Sequence, residues 1–171
     1  MMRQRGRLEV FDAGFFRVER VDLEGRASPV TLLRMPDWVM AVAVDGAGQF
    51  VLVRQHRFGI AADTVEPAGG LVDAGEPPER AALRELREET GYAGTTAEPL
   101  GFTHPNPVLQ DNRCHFFLVR GVVRVGAPHP DSEEVVTPVV LGREDVEAAL
   151  REGRFAHALA ELALRRALAV L

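Results

Sequence analysis

One stretch constrains this chain more than any other. Between Glu76 and Tyr92 the order of residues predicts a helix over 76–90, with Pro77 suited to its first turn and Gly91 to a left-handed stop. At ~100° per residue the helix sorts into three stripes. Ala82, Leu83 and Leu86 form an apolar face; Arg80, Arg84 and Arg87 form a basic one. Glu85, Glu88 and Glu89 cluster on a third. Carboxylates three and four residues apart repel, and these lie toward the negative end of the helix dipole. Arg84 can pair with Glu88 across one turn but cannot neutralise all three. Such a face is either solvated surface laced with ion pairs or a seat for a hard divalent cation held by oxygen. The flanking turns, Pro67-Ala68-Gly69-Gly70 and Asp73-Ala74-Gly75-Glu76, favour the cation, because glycines let backbone carbonyls approach the carboxylates. No thiol cluster or histidine cluster is present, which points to Mg²⁺ or Mn²⁺ over zinc.

The apolar stripe needs a core to bury it. With 171 residues, 46% of them apolar, the chain is long enough for one domain with a substantial core. A net charge of −5 argues against nucleic acid as partner. No run of ~18 apolar residues reads as a membrane span, and the basic start, Met1 to Arg7, leads into no apolar segment of signal-peptide length. The single cysteine, Cys114, excludes an internal disulfide and is expected to be a packed strand residue; a reducing, cytoplasmic setting is the simplest expectation. All twenty basic residues are arginine, so lysine-based Schiff-base and phosphate-loop chemistry is excluded.

Strands are expected at 8–11, 15–22 and 29–34, then at 38–45 and 49–54 around the hairpin signal Gly46-Ala47-Gly48. The stretch 61–75 has no clear period. Further strands are expected at 99–103, 115–123 and 134–141, and amphipathic helices at 143–152 and 156–171, broken at Gly153. Strands, helix, strands, helices suggest a mixed sheet flanked by helices.

Gly70, Glu76 and the run Arg84-Glu85-Leu86-Arg87-Glu88-Glu89-Thr90-Gly91-Tyr92 resemble the signature of the Nudix hydrolase family, with Tyr92 where an aliphatic residue is usual. The resemblance implies an α/β/α sandwich around a mixed sheet and hydrolysis of a nucleoside diphosphate linked to another group. It implies Glu85 and Glu89 as main metal ligands, Glu88 assisting and the Gly69 carbonyl completing the shell. Two to three Mg²⁺ or Mn²⁺ ions are implied. Arg84 is implied to orient the glutamates and Glu76 to brace the loop. Diphosphate chemistry agrees, since bridging cations neutralise the phosphates and activate water.

Val51 to Phe58, Glu66-Pro67-Ala68-Gly69, and Pro107 about fifteen residues past Tyr92 look like the ADP-ribose pyrophosphatase branch. In that branch an N-terminal strand region, here 1–35 before a hydrolase domain at 36–171, helps form a homodimer and part of the substrate pocket. Arg54 and Arg57 read as a fork for phosphate or ribose oxygens, or as plain strand-end arginines. Trp38 reads as a nucleobase platform, or as core or interface. Asn112 and Arg113, in the loop 104–115, read as sugar-hydroxyl contacts or as parts of a rigid turn. By resemblance the catalytic base is a glutamate in the loop before the strand at 134–141, which assigns Glu133, with Glu134 one step away. His157 has no partner visible in sequence and reads as a surface or core histidine. The leading expectation is a metal-dependent hydrolase of ADP-ribose or a related nucleotide sugar. The competing ones are a non-catalytic nucleotide-binding module and a nucleoside triphosphate sanitising enzyme.

Overall fold

The structure, a computed structural model, describes residues 3–129 and 135–171. Glu133 and Glu134 therefore lie outside the described residues.

Strand β4 (Trp38–Asp45) shows how the fold is organised. Its run of valine, alanine and methionine is buried along nearly its whole length, as expected of a strand covered on both faces. Alternation sends Val39, Ala41 and Ala43 into one apolar cluster and Met40, Val42 and Val44 into another. The first cluster lies under helix α1 (Pro78–Thr90), which contributes Ala81, Ala82 and Leu86. The second lies under α2 (Arg143–Arg151) and α3 (Ala158–Leu168), which contribute Val146, Leu150, Ala160 and Leu164. Two helical layers thus enclose one sheet, the expected α/β/α sandwich.

Among the described residues that sheet has seven strands. β4 pairs antiparallel with β5 (Phe50–Arg57) and parallel with β9 (Cys114–Arg124), so the sheet is mixed. β10 (Val136–Leu141) and β6 (Ala62–Glu66) pair with β5; β7 (Tyr92–Ala93) and β8 (Glu98–Thr103) pair with β9. The β4–β5 turn is closed by the Asp45 carboxylate, which accepts from the Ala47 and Gln49 amides at 2.9 Å each. Helix α1 stops at Gly91, whose φ of 71° is the left-handed conformation glycine takes without strain. The N-terminal region forms a separate antiparallel sheet, β1 (Gln4–Asp12), β2 (Arg17–Leu23) and β3 (Val30–Arg34), and exposes Leu8, Val10, Phe11 and Phe15.

Two strands escaped the sequence reading. β6 lies in the stretch that showed no period, because its ordering comes from pairing with β5 rather than from alternating hydrophobicity. β7 is two residues long, below the length at which a period exists. Cys114 is fully buried, and burial pushes its thiol up to about 12, an inert packed residue as expected. No helix is long and apolar enough to cross a membrane, among the described residues.

Candidate active site

A cleft of about 640 Å³ opens between α1 with its preceding loop and the β5–β6 hairpin with the start of α3. One wall is the acidic helix. Arg84 is its hub: Nε and Nη2 donate to the two Glu76 oxygens at 3.1 and 2.9 Å. Nη1 donates to Glu85 at 2.8 Å and Glu88 at 3.1 Å, and Nη2 also reaches the Leu71 carbonyl at 3.0 Å. One guanidinium therefore orients three carboxylates and ties the loop to the helix. Its hydrogen bond from Arg84 holds the Glu76 carboxyl below the usual range. The same hydrogen bond to Glu76, outweighing burial, raises the arginine further above its ordinary value. Glu76 also accepts from the Asp73 amide at 3.3 Å.

The loop is held against β4. The Ala41 and Val39 amides donate to the Ala68 and Gly70 carbonyls at 2.8 and 3.0 Å. By alternation Gly69 turns its polar groups the other way, toward α1, and its amide meets Glu89 Oε2 at 2.9 Å. Glu89 is buried, only 2% exposed. Both glycines are needed for space. A Cβ on Gly69 would strike the Val39 carbonyl, and one on Gly70 would strike the Glu85 carboxylate.

This donor set fits a hard divalent cation. Glu85, Glu88 and Glu89 supply carboxylate oxygens that line the cleft, Gly69 turns its backbone toward them, and the missing side chain at Gly70 lets the Glu85 carboxylate lie against the loop. Among the described residues no three acidic, histidine or cysteine side chains already close around a point; Arg84 holds two of the carboxylates instead.

The opposite wall is built on a buried carboxylate. Glu66 is fully buried, and it accepts from Arg57 Nε at 2.9 Å and Nη2 at 2.7 Å, from Thr64 Oγ1 at 2.5 Å and from His157 Nδ1 at 2.6 Å. Burial alone would push the Glu66 carboxyl up, but these four donors outweigh it and hold it at about 2. Gln55, Trp38, Phe58 and Ile60 complete this side, and Phe15 and Met35 of the N-terminal region also line the cleft.

Several expected contacts are placed elsewhere. Arg54 does not join Arg57: three residues apart on a strand, they point to opposite faces, and Arg54 is exposed. Asn112 is not at the cleft; it is 2% exposed and donates to the Pro36 carbonyl at 3.1 Å, bracing the loop. Arg113 lies over the Phe102 ring, 4.8 Å from its centroid. Trp38 lines the cleft and packs against the α2–α3 core. His157 is not the partnerless histidine expected from sequence, since Glu66 lies 91 residues away along the chain and only the fold joins them. Glu66 itself showed one signal, a charged residue directly before Pro67 and the glycine pair, where a strand enters a turn.

The NUDIX domain model matches residues 35–159. The chain is 32% identical over 158 residues to an ADP-ribose pyrophosphatase of Bacillus subtilis, covering 88% of this chain and 85% of that protein. It is 32% identical over 153 residues to a CMP-5'-(N-acetyl-N-hydroxy-3-aminopropyl)phosphonate hydrolase of Streptomyces rubellomurinus, covering 88% and 74%. A crystal structure of an ADP compounds hydrolase superposes with a TM-score of 0.84 at 23% identity, covering 99% of this chain and 94% of that one.

Proposed function

The chain belongs to the Nudix family, and we propose that within it the protein hydrolyses the diphosphate of ADP-ribose or a related nucleoside diphosphate sugar. The products are a nucleoside monophosphate and a sugar phosphate. The observation that carries this reading is the carboxylate face of α1 opposed to Gly69 and Gly70 inside a cleft of about 640 Å³, a size that suits a nucleotide derivative. Similarity to an ADP-ribose pyrophosphatase over most of both chains supports the substrate class.

Nudix hydrolases generally depend on a divalent metal. Here we assign Glu85, Glu88, Glu89 and the Gly69 carbonyl to hold two to three Mg²⁺ or Mn²⁺ ions, which would neutralise the diphosphate charge and activate the attacking water. Arg84 keeps Glu85 and Glu88 aimed at the cleft. A water oxygen bonds to phosphorus, the bridging P–O bond breaks toward the leaving phosphate, and the water proton passes to a base. We assign that base to Glu133, because the helix carboxylates are committed to metal. Glu133→Gln is expected to lower kcat ~10²–10⁴-fold with little change in KM, and Glu134→Gln to do much less; the reverse order would move the assignment by one residue. We further propose a homodimer through 8–35, supported by the exposed Leu8, Val10 and Phe11 and by Phe15 at the cleft. Light scattering at micromolar concentration tests it.

The decisive experiment is a panel of ADP-ribose, nucleotide sugars, dinucleotides and triphosphates with Mg²⁺ or Mn²⁺, with products identified by mass. Preferential cleavage of triphosphates, or nucleotide binding without turnover, would overturn the reading.

A further inference from the structure

His157 is the residue before α3, yet its side chain makes no cap to that helix. Its imidazole turns instead to Glu66, with Nδ1 at 2.6 Å from Oε2. Glu66 already accepts two hydrogen bonds from Arg57 and one from Thr64, in a fully buried position. An ionised carboxylate only accepts, so the hydrogen of this contact sits on Nδ1. In the neutral imidazole that leaves Nε2 bare, an acceptor with a fixed direction. Among the described residues Nε2 has no hydrogen-bond partner, and His157 is partly exposed and lines the cleft.

We infer that His157 Nε2 accepts a hydrogen bond from a sugar hydroxyl of the substrate, which makes His157 a specificity-determining contact held in register by Glu66. The inference rests on the nucleotide-sugar reading above. Diphosphate oxygens are themselves acceptors and cannot pair with a bare ring nitrogen. The abundant donors on a nucleoside diphosphate sugar are its hydroxyls, and a site built to receive one discriminates strongly against ligands that lack it. The four donors around Glu66 leave the imidazole little freedom to turn, so the acceptor is positioned before substrate arrives.

The test is calorimetric binding in chelator, where no turnover occurs, of ADP-ribose, ADP and the 2′- and 3′-deoxy forms of ADP. His157→Asn keeps an amide donor near the Nδ1 position for Glu66 and removes the Nε2 acceptor. His157→Gln instead places an amide oxygen near the Nε2 position. His157→Asn is expected to fold with a Tm near wild type and to bind ADP-ribose about tenfold more weakly, and His157→Gln to stay within about threefold. If ADP binding is unchanged, the hydroxyl belongs to the terminal sugar. If ADP is weakened too and one deoxy form escapes the loss, it belongs to the nucleoside. Wild-type affinity in His157→Asn, equal loss in both variants, or a loss that neither deoxy form escapes would overturn the inference. So would unchanged affinity with a large fall in metal-supported kcat, which would make the imidazole a base. Wild-type protein that binds neither ADP-ribose nor ADP removes the substrate reading, and the inference with it, before any variant is compared.

Discussion

The two walls of the cleft handle negative charge in opposite ways. On the β5–β6 side one carboxylate, Glu66, is surrounded by four hydrogen-bond donors and sealed from water. On the α1 side one guanidinium, Arg84, is shared among Glu76, Glu85 and Glu88, and Glu89 sits buried beside them. The first wall is complete without a ligand. The second gathers Glu76, Glu85 and Glu88 around one guanidinium with Glu89 beside them, and carboxylates at helical spacings of three and four residues repel one another. The contrast is one of charge balance: one carboxylate among four donors on the first wall, several carboxylates around one guanidinium on the second.

The largest effect should come from the wall with excess charge. Glu85→Gln or Glu89→Gln is expected to lower kcat by roughly three orders of magnitude or more, about 4 kcal/mol of transition-state stabilisation. The metal-free protein should keep its fold, and its Tm should hold or rise as repulsion is relieved. Chelation should abolish activity in the unaltered protein. Full turnover in excess chelator would erase the distinction between the walls.

The complete wall should fail differently, through stability. Glu66→Gln leaves Arg57 and His157 around a neutral amide and is expected to cost about 3 kcal/mol, read as a Tm lowered by roughly 10 °C. A pH signature goes with it. The folded Glu66 carboxyl is held at about 2 against an ordinary 4.5. A depressed folded value stabilises the protein above about 4.5, and that contribution is lost as pH falls toward about 2. Denaturant titrations should therefore show the unaltered protein losing stability across that window more steeply than Glu66→Gln. Parallel curves would mean that Glu66 is not the group titrating there.

The same contrast decides what could be read from sequence. The α1 wall is contiguous: Gly69, Gly70, Glu76, Arg84, Glu85, Glu88 and Glu89 lie within one loop and one helix, so spacing alone places them together. The Glu66 wall joins two paired strands to a residue 91 positions away, and no local pattern encodes that meeting. The layers of the fold were legible because α1, α2 and α3 carry helical periods and β4 is a continuous apolar run. β6 was not, because strand pairing rather than patterning defines it. Asn112 and Arg113 were assigned to the substrate on their polarity, yet the fold sends the Asn112 amide to the Pro36 carbonyl and the Arg113 guanidinium over the Phe102 ring, contacts that sequence does not encode locally.

A smaller, sharper test touches the gap between the walls. Gly70→Ala places a methyl against the Glu85 carboxylate, the movable end of a side chain, rather than against backbone. Stability should change by less than about 1 kcal/mol. Displacing the carboxylate we assign to metal should still lower kcat about tenfold or more, since small misplacements at a reacting centre are costly. Gly69→Ala, which meets the Val39 carbonyl, should instead show its main effect as lost stability. If both variants lose stability alike, the loop is scaffold at both positions.

The smallest expected effect distinguishes two arginines that look equivalent in sequence. Strand β5 turns Arg54 and Arg57 to opposite faces, because side chains alternate and three residues is an odd step. Arg57 donates twice to Glu66 and lines the cleft. Arg54 pairs across the ladder with Val65, whose side chain packs against the α2–α3 core, and it is exposed there. Arg54→Ala should therefore leave kcat/KM within about twofold and stability within ~0.5 kcal/mol, the range of a surface substitution. Arg57→Ala should lower Tm and raise KM, because it removes two of the four donors that fix the Glu66 wall. A tenfold fall in kcat/KM for Arg54→Ala would mean that substrate reaches the far face of β5. A cleft confined to one copy of the chain does not allow that, so the fall would require a pocket completed by a second copy.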